Sequence, residues 1–286
     1  MRTNLLGGTF MKKLKRFVCL LILSSLVCGN INSYAVDNKS SIKISVENEA
    51  LIKNALQEQI IDQSCLDQFN KFFFTNIQGN NDDYNCFLED HISSIVAAYN
   101  NNNSKLIQAQ KMVNENIENK SLFSSNGSIA EELYSLGISK VENKGCPMTA
   151  SYMRWARDAK GGKKLHDGDA WAKSCIVQEL NQDIFPKFEE EILATGKEFG
   201  VINGTFAYNT SNSSLDHFAA LHAVSYSVSF ANAAVGYNAL YYIYDVYDFD
   251  WMTYDNFEIG FGNNYCKMMQ DLGLIYPFPI EIRFYM

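Results

Sequence analysis

The sequence lacks the short motifs that identify several common functional classes. Its 286 residues contain no Cys-x-x-Cys pair and no Cys/His cluster with zinc-finger spacing, which excludes a structural zinc site of that type. A Gly-Gly pair flanked by lysines at 160–164 lacks the spacing of a phosphate-binding P-loop. Beyond the N-terminus, no apolar stretch approaches the ~20 residues of a transmembrane helix.

The N-terminus has the pattern of an export signal. A basic segment at 11–16 precedes a short apolar run at 17–27, and Ser33-Tyr34-Ala35 fits the small-x-small rule of signal peptidases. We therefore expect residues 1–35 to be a signal peptide cleaved after Ala35, and the protein to be secreted or extracellular.

The remaining chain is acidic. Residues 1–35 contain five basic and no acidic residues, so their removal changes the formal charge from −8 to −13. This charge disfavours non-specific binding to nucleic acid or to an anionic membrane. It is compatible with a divalent cation as partner.

Composition and periodicity divide the chain into a helical region (36–117), a polar linker (118–128) and a second domain (129–286). Apolar residues in 45–117 recur at helical spacing, with a break at the asparagines 100–103. The second domain begins with helices and continues with predicted strands at 199–208, 217–230, 237–245 and 277–285. The predicted fold class is α+β, with an antiparallel β meander.

The helical region has two open interpretations. It forms a surface for a protein partner, or its helices simply pack on the second domain.

Carboxylates cluster at the end of the strand predicted at 237–245. Asp245, Asp248 and Asp250 alternate there with Tyr247, Phe249 and Trp251. Such groups can hold Mg²⁺ or act as general acid and base. We expect His222, on the preceding predicted strand, to face them. The alternative is a polar strand exit whose acids stabilise turns.

The segment Asp245-Val246-Tyr247-Asp248-Phe249 resembles the D-x-Y-D-F motif of the colicin M family of bacteriocins. A His-containing segment at 217–222 precedes it, and residues 272–282 are similar to the final strand of that family. The resemblance covers about 70 C-terminal residues.

The resemblance implies a toxin that hydrolyses lipid II, the lipid-linked peptidoglycan precursor, with Mg²⁺. By position, Asp245, Tyr247 and Asp248 correspond to functional residues of the family, and Tyr254 to an aromatic member that follows the motif. The family's Arg after the motif is missing, because no Lys or Arg occurs between 249 and 266. A distant arginine would have to supply the charge; the candidates are Arg154, Arg157 and Arg283.

Two further hypotheses concern other classes. Cys146 begins a predicted helix, and with His217 or His222 and Asp245 it gives the chain order of a Cys-His-Asp amidase or peptidase. A disulfide between Cys146 and Cys175 competes with that role. Alternatively, the 16 tyrosines and 19 phenylalanines serve a secreted binding protein without catalysis.

Overall fold

The computed structural model describes residues 43–77, 79–118, 127–232, 237–253 and 257–286. The expected signal peptide and most of the expected linker lie outside these ranges. The described helices are α1 (Val46–Gln57), α2 (Gln63–Phe72), α3 (Asn81–Glu118), α4 (Gly127–Asn143), α5 (Pro147–Asp158), α6 (Ala170–Ser174), α7 (Gln178–Phe188), α8 (Leu215–Leu221) and α9 (Phe257–Asp271). Single π-helical turns, Phe73–Ile77 and Glu189–Leu193, extend α2 and α7. None of the described helices is long and apolar enough to cross a membrane.

The strands are β1 (Lys164–Asp167), β2 (Phe199–Ala207), β3 (Ala223–Asn232), β4 (Tyr237–Tyr247) and β5 (Phe278–Tyr285). They form one sheet in the order β1-β5-β4-β3-β2. The pairs from β2 to β5 are antiparallel, as the meander prediction requires. Strand β1 was not predicted, and it pairs in parallel with β5, so the sheet is mixed. Helices together with this sheet confirm the α+β fold class.

Alternation along the strands gives the sheet two different faces. The first, which we call the apolar face, carries Val228, Tyr241, Ile243, Ile280 and Ile282, all buried in a core with residues of α4 to α9. The opposite face, which we call the polar face, carries Ser225, Ser227, Ser229, Glu281 and Arg283, all buried. Tyr242 and Tyr244 of β4 also lie on the polar face, in a second core with α1, α2 and α3. The N-terminal helices therefore pack on the second domain.

Helix α3 is continuous, and the break predicted at 100–103 is wrong. It runs for 38 residues over the polar face. Asn102 is buried and donates its side-chain N–H to Ser225 Oγ at 3.2 Å. An asparagine that finds such a partner loses its tendency to leave the helix. The C-terminal half of α3 then continues past the end of β4.

The strand predicted at 217–230 begins too early. Residues 215–221 form α8, because Ser214 caps it by accepting the His217 N–H at 3.1 Å. Strand β3 starts only at Ala223. Asn203 and Gly204, a dipeptide common in tight turns, lie instead within β2 and pair with β3. Gly204 is needed there because a Cβ would collide with the hydroxyl of Tyr226.

Candidate functional site

A large cleft opens where β4 leaves the sheet. Its volume is about 1640 Å³. The C-terminal half of α3, helices α4, α8 and α9, the start of α5 and the end of β4 line it. Four of the predicted catalytic residues line this one cleft: His222, Asp245, Tyr247 and Asp248.

Asp245 is the carboxylate on the apolar face of β4. It lies between Ile243 and Tyr247 in a row of side chains that otherwise belongs to the core. One carboxylate oxygen accepts the Val246 backbone N–H at 2.8 Å. Burial raises the pKa of Asp245 well above its usual range, and the neighbouring Asp248 raises it further. Burial therefore favours the protonated form of this carboxyl group.

Asp248 follows the strand in a segment that α9 holds in place. The buried Gln270 accepts the Phe249 N–H at 3.1 Å, and Asn264 exchanges two hydrogen bonds with the backbone of Met252. Burial raises the pKa of Asp248 to about 6, with a smaller contribution from Asp250. This carboxyl changes its charge close to neutral pH.

The other motif residues differ in their environments. Tyr247 is buried, with its ring 5.5 Å from Tyr152 and 5.2 Å from Phe278. Burial raises the pKa of Tyr247 well above its usual range, so its phenol stays neutral. Asp250 lies on the lining but is exposed, and Tyr254 lies outside the described residues.

Lysines provide the positive charge that the motif lacks. Lys105 of α3 and Lys267 of α9 line the cleft, and both act to lower the pKa of Asp248. Lys105 acts in the same way on Asp245. Lys267 is buried and also pairs with Asp271 at 2.6 Å. Sequence reasoning missed Lys105, because nothing local links it to a carboxylate 140 residues further along the chain.

The three arginines named from the sequence have other partners. Arg154 pairs with Glu142, and Arg157 with Asp158 at 2.7 Å. Arg283 is buried on the polar face with Glu281 and Asp62. None of them belongs to the cleft lining.

His222 reaches the cleft, although it lies outside any strand. It ends α8 with φ 44° and ψ −77°, a conformation that residues other than glycine rarely adopt. Its carbonyl accepts the Tyr208 N–H at 2.7 Å, and its side chain is exposed. Strain of this kind clusters at functional sites, because only surrounding contacts can maintain it.

Cys146 and His217, two of the residues proposed for a cysteine enzyme, do not form a reactive pair. Cys146 lines the cleft, but Asp216 occupies the start of α5, accepting the N–H groups of Met148 and Thr149 at 3.0 and 2.8 Å. Burial raises the pKa of the Cys146 thiol, and Asp216 raises it further. His217 hydrogen-bonds Ser214 and Ser174 instead.

The predicted disulfide is not formed either. Cys146 and Cys175 are both free thiols, as are the other three cysteines of the described residues.

The metal-binding roles expected of Asp245, Asp248 and Asp250 stay predictions. Within the described ranges, no group of three or more His, Cys, Asp or Glu side chains is placed to hold an ion. Asp248 raises the pKa of Asp245, and Asp250 raises the pKa of Asp248. Mg²⁺ can be held by one or two carboxylates when phosphate oxygens and water complete the coordination, so the ionised Asp248 with its neighbours fits such an ion.

Comparison with known proteins gave structural similarities only. No protein-family model and no curated protein sequence matches the chain. One similar solved structure is PaeM, a colicin M-like bacteriocin produced by Pseudomonas aeruginosa, with 16% identity and a TM-score of 0.30. That match covers 48% of this chain and spans only about half, 50%, of PaeM.

Another is a truncated form of the bacteriocin syringacin M from Pseudomonas syringae pv. tomato, with 12% identity and a TM-score of 0.26. It covers 84% of this chain and 95% of that structure.

Proposed function

We propose that this chain is a secreted, bacteriocin-like protein that acts on the bacterial envelope by hydrolysing a lipid-linked pyrophosphate of the lipid II type. One observation carries the proposal: the two motif carboxylates, Asp245 and Asp248, meet two lysines from distant helices in a single cleft. The resemblance of the motif supplies the substrate class.

The two carboxyl groups differ in a way that suits acid and base roles. Asp245, whose protonated form is favoured by burial, is the general acid, and Asp248, with a pKa of about 6, is ionised at neutral pH and is the general base. Asp248 takes a proton from the water whose oxygen bonds to phosphorus. Asp245 gives its proton to the lipid alcohol oxygen as the phosphorus–oxygen bond breaks.

Positive charge in the cleft balances the pyrophosphate. Lys105 and Lys267 replace the missing arginine as point charges, which attract phosphate without the two-pronged geometry of a guanidinium. Asp248, which is ionised at neutral pH, would hold Mg²⁺ together with phosphate oxygens and water, and the ion would supply further charge neutralisation. Tyr247, between the two motif carboxyl groups in the chain, is buried against Tyr152 and Phe278.

Incubation of the purified protein with lipid II and Mg²⁺ tests the proposal. We expect release of the lipid alcohol, and a loss of at least ~100-fold in rate for Asp245→Asn or Asp248→Asn. Asp250→Asn is the matched control and should retain most activity. A folded protein that leaves lipid II intact would contradict the hydrolase and favour a non-catalytic binding protein.

Lys105→Met tests the source of positive charge separately. We expect this variant to bind and turn over lipid II roughly 10-fold or more less efficiently, because one phosphate contact is lost. Arg154→Met, which removes a cation outside the cleft, should behave as the unmodified protein does. Equal losses in both variants would mean that Lys105 does not contact the substrate.

A further inference from the structure

Large apolar side chains are concentrated around the mouth of the cleft. Among residues that line the cleft, Phe261 is 63% exposed, Leu133 50% and Met252 42%. Trp251 and Leu136, 61% and 65% exposed, are chain neighbours of lining residues. Exposed apolar groups scattered singly need no explanation, but a contiguous set marks a binding surface.

Three separate segments contribute these side chains, and hydrogen bonds join the segments to one another. Tyr265 of α9 donates its hydroxyl to the carbonyl of Ala130 at 2.8 Å, which joins α9 to α4. Asn263 donates to the carbonyl of Asp250 at 2.7 Å, which joins α9 to the segment that carries Trp251. We call Leu133, Leu136, Trp251, Met252 and Phe261 the apolar rim.

The charge beside the rim differs from that of the whole chain. Four lysines line the cleft against three aspartates, although the full sequence carries a formal charge of −8. On α4, Leu133 and Leu136 precede Lys140 at helical spacing, and Lys144 follows directly after the helix. This segment is therefore apolar at one end and basic at the other. This pattern is typical of segments that lie at a lipid surface, where lysines meet phosphate and apolar groups enter the acyl region.

We infer that the apolar rim docks the protein on an anionic phospholipid bilayer, with the mouth of the cleft facing the lipid. The net charge of the chain argues against this partner, but the local charge at the rim is complementary to it. Trp and Phe are suited to the depth of lipid headgroups. The inference does not rest on the hydrolytic chemistry, because docking needs only the rim and the lysines.

Vesicle flotation tests the inference without any substrate. Vesicles of phosphatidylcholine with phosphatidylglycerol should carry the protein, and Phe261→Ser or Leu136→Ser should each lower the partition coefficient roughly tenfold. Val46→Ser is the matched control, since Val46 is 77% exposed on α1, away from the cleft. Brominated lipid should quench fluorescence in the unmodified protein and much less in Trp251→Ser.

The outcomes separate docking from catalysis. Asp245→Asn should float with the vesicles as the unmodified protein does, even though we expect it to be inactive on lipid II. Failure of the unmodified protein to float would overturn the docking inference and leave the hydrolase proposal intact. Equal flotation of the rim and control variants would also overturn the docking inference. Sedimentation data showing that the rim joins two copies of the chain would do the same.

Discussion

The two faces of the sheet are both buried, but they are covered by different means. On the apolar face, Val228, Ile243 and Ile282 meet hydrophobic side chains of the later helices. On the polar face, serines and an ion pair lie under the N-terminal helices, and each polar group must find a partner to offset its lost hydration. The apolar face is stabilised by the burial of hydrophobic surface area, whereas the packing on the polar face depends on a few specific polar contacts.

The largest expected effect is at the ion cluster of the polar face. Glu281 is fully buried and contacts Arg283 and Lys163, while Arg283 also pairs with Asp62 at 3.2 Å. Arg283→Met leaves a buried carboxylate with one cation fewer, so we expect it to lower the free energy of unfolding by about 3–5 kcal/mol in urea titrations.

The control for this prediction is an ion pair at the surface. Arg154 and Glu142 are both more than 40% exposed, so Arg154→Met should cost less than about 1 kcal/mol. Adding Glu281→Gln to Arg283→Met should recover much of the loss. Comparable losses at Arg154 and Arg283 would show that the buried cluster contributes nothing particular.

The second-largest expected effect is that acid weakens the packing of the N-terminal helices on the sheet. His91 of α3 is buried between Phe69 and Phe87 and contacts Ser229 of the polar face. Burial lowers its pKa from 6.5 to about 3. The unfolded chain therefore binds the proton first, so stability present above pH 6.5 is lost as the pH falls toward 3, by about 2 kcal/mol at about pH 5.

Urea titrations at neutral and acid pH measure this loss. His91→Gln, which does not titrate, should remove that part of the pH dependence. His222→Gln changes an exposed histidine and should leave it unaltered. An unchanged pH profile in His91→Gln would refute the assignment.

In the cleft we expect a smaller pH-dependent change in the free energy of unfolding, opposite in sign to that of His91. The pKa of Asp248 rises from 3.8 to about 6 on folding, so its ionised form destabilises the folded state increasingly as the pH rises through this range. Asp248→Asn should therefore raise the free energy of unfolding at neutral pH by about 1–2 kcal/mol while activity falls. Thermal melts would measure the gain, which should be clearly smaller in Asp250→Asn because Asp250 makes only the lesser contribution to the pKa of Asp248.

The smallest expected changes in stability come from two substitutions at neighbouring positions, one on each face of the sheet. Within the described residues, the buried hydroxyl of Ser227 has no hydrogen-bond partner. Ser227→Ala should be neutral or stabilising by up to about 1 kcal/mol, whereas Ile243→Val on the apolar face should cost about 1 kcal/mol. A clear loss of stability in Ser227→Ala would show that its hydroxyl is satisfied after all.

Local patterns predicted much of the sheet. The alternating side-chain patterns at 224–230 and 278–284 correspond to strands β3 and β5. Successive side chains of a strand point to opposite faces of the sheet, and each face contributes to a core. The same pattern was extended too far, to 217, although Ser214 followed by Asp216 is a helix-start signal. The helix break expected at the asparagines failed because their burial against Ser225 is a tertiary contact.

The candidate site was predictable only in part. Asp245 and Asp248 stand out in the sequence as acids among aromatic residues, and both line the cleft. Their raised pKa values and the approach of Lys105 depend on elements far away in the chain, which no spacing rule encodes. The catalytic roles of these residues, and that of Tyr254, stay predictions.

Helix α3 connects the polar face to the cleft as a single rod. It spans 38 residues, or about 57 Å, and carries His91 and Asn102 under the sheet and Lys105 into the cleft. A stiff helix moves as one body, so any pull that lifts the N-terminal helices from the sheet also withdraws the lysine from the carboxylates. Displacement of the helices that cover the polar face would therefore change the positive charge near Asp245 and Asp248.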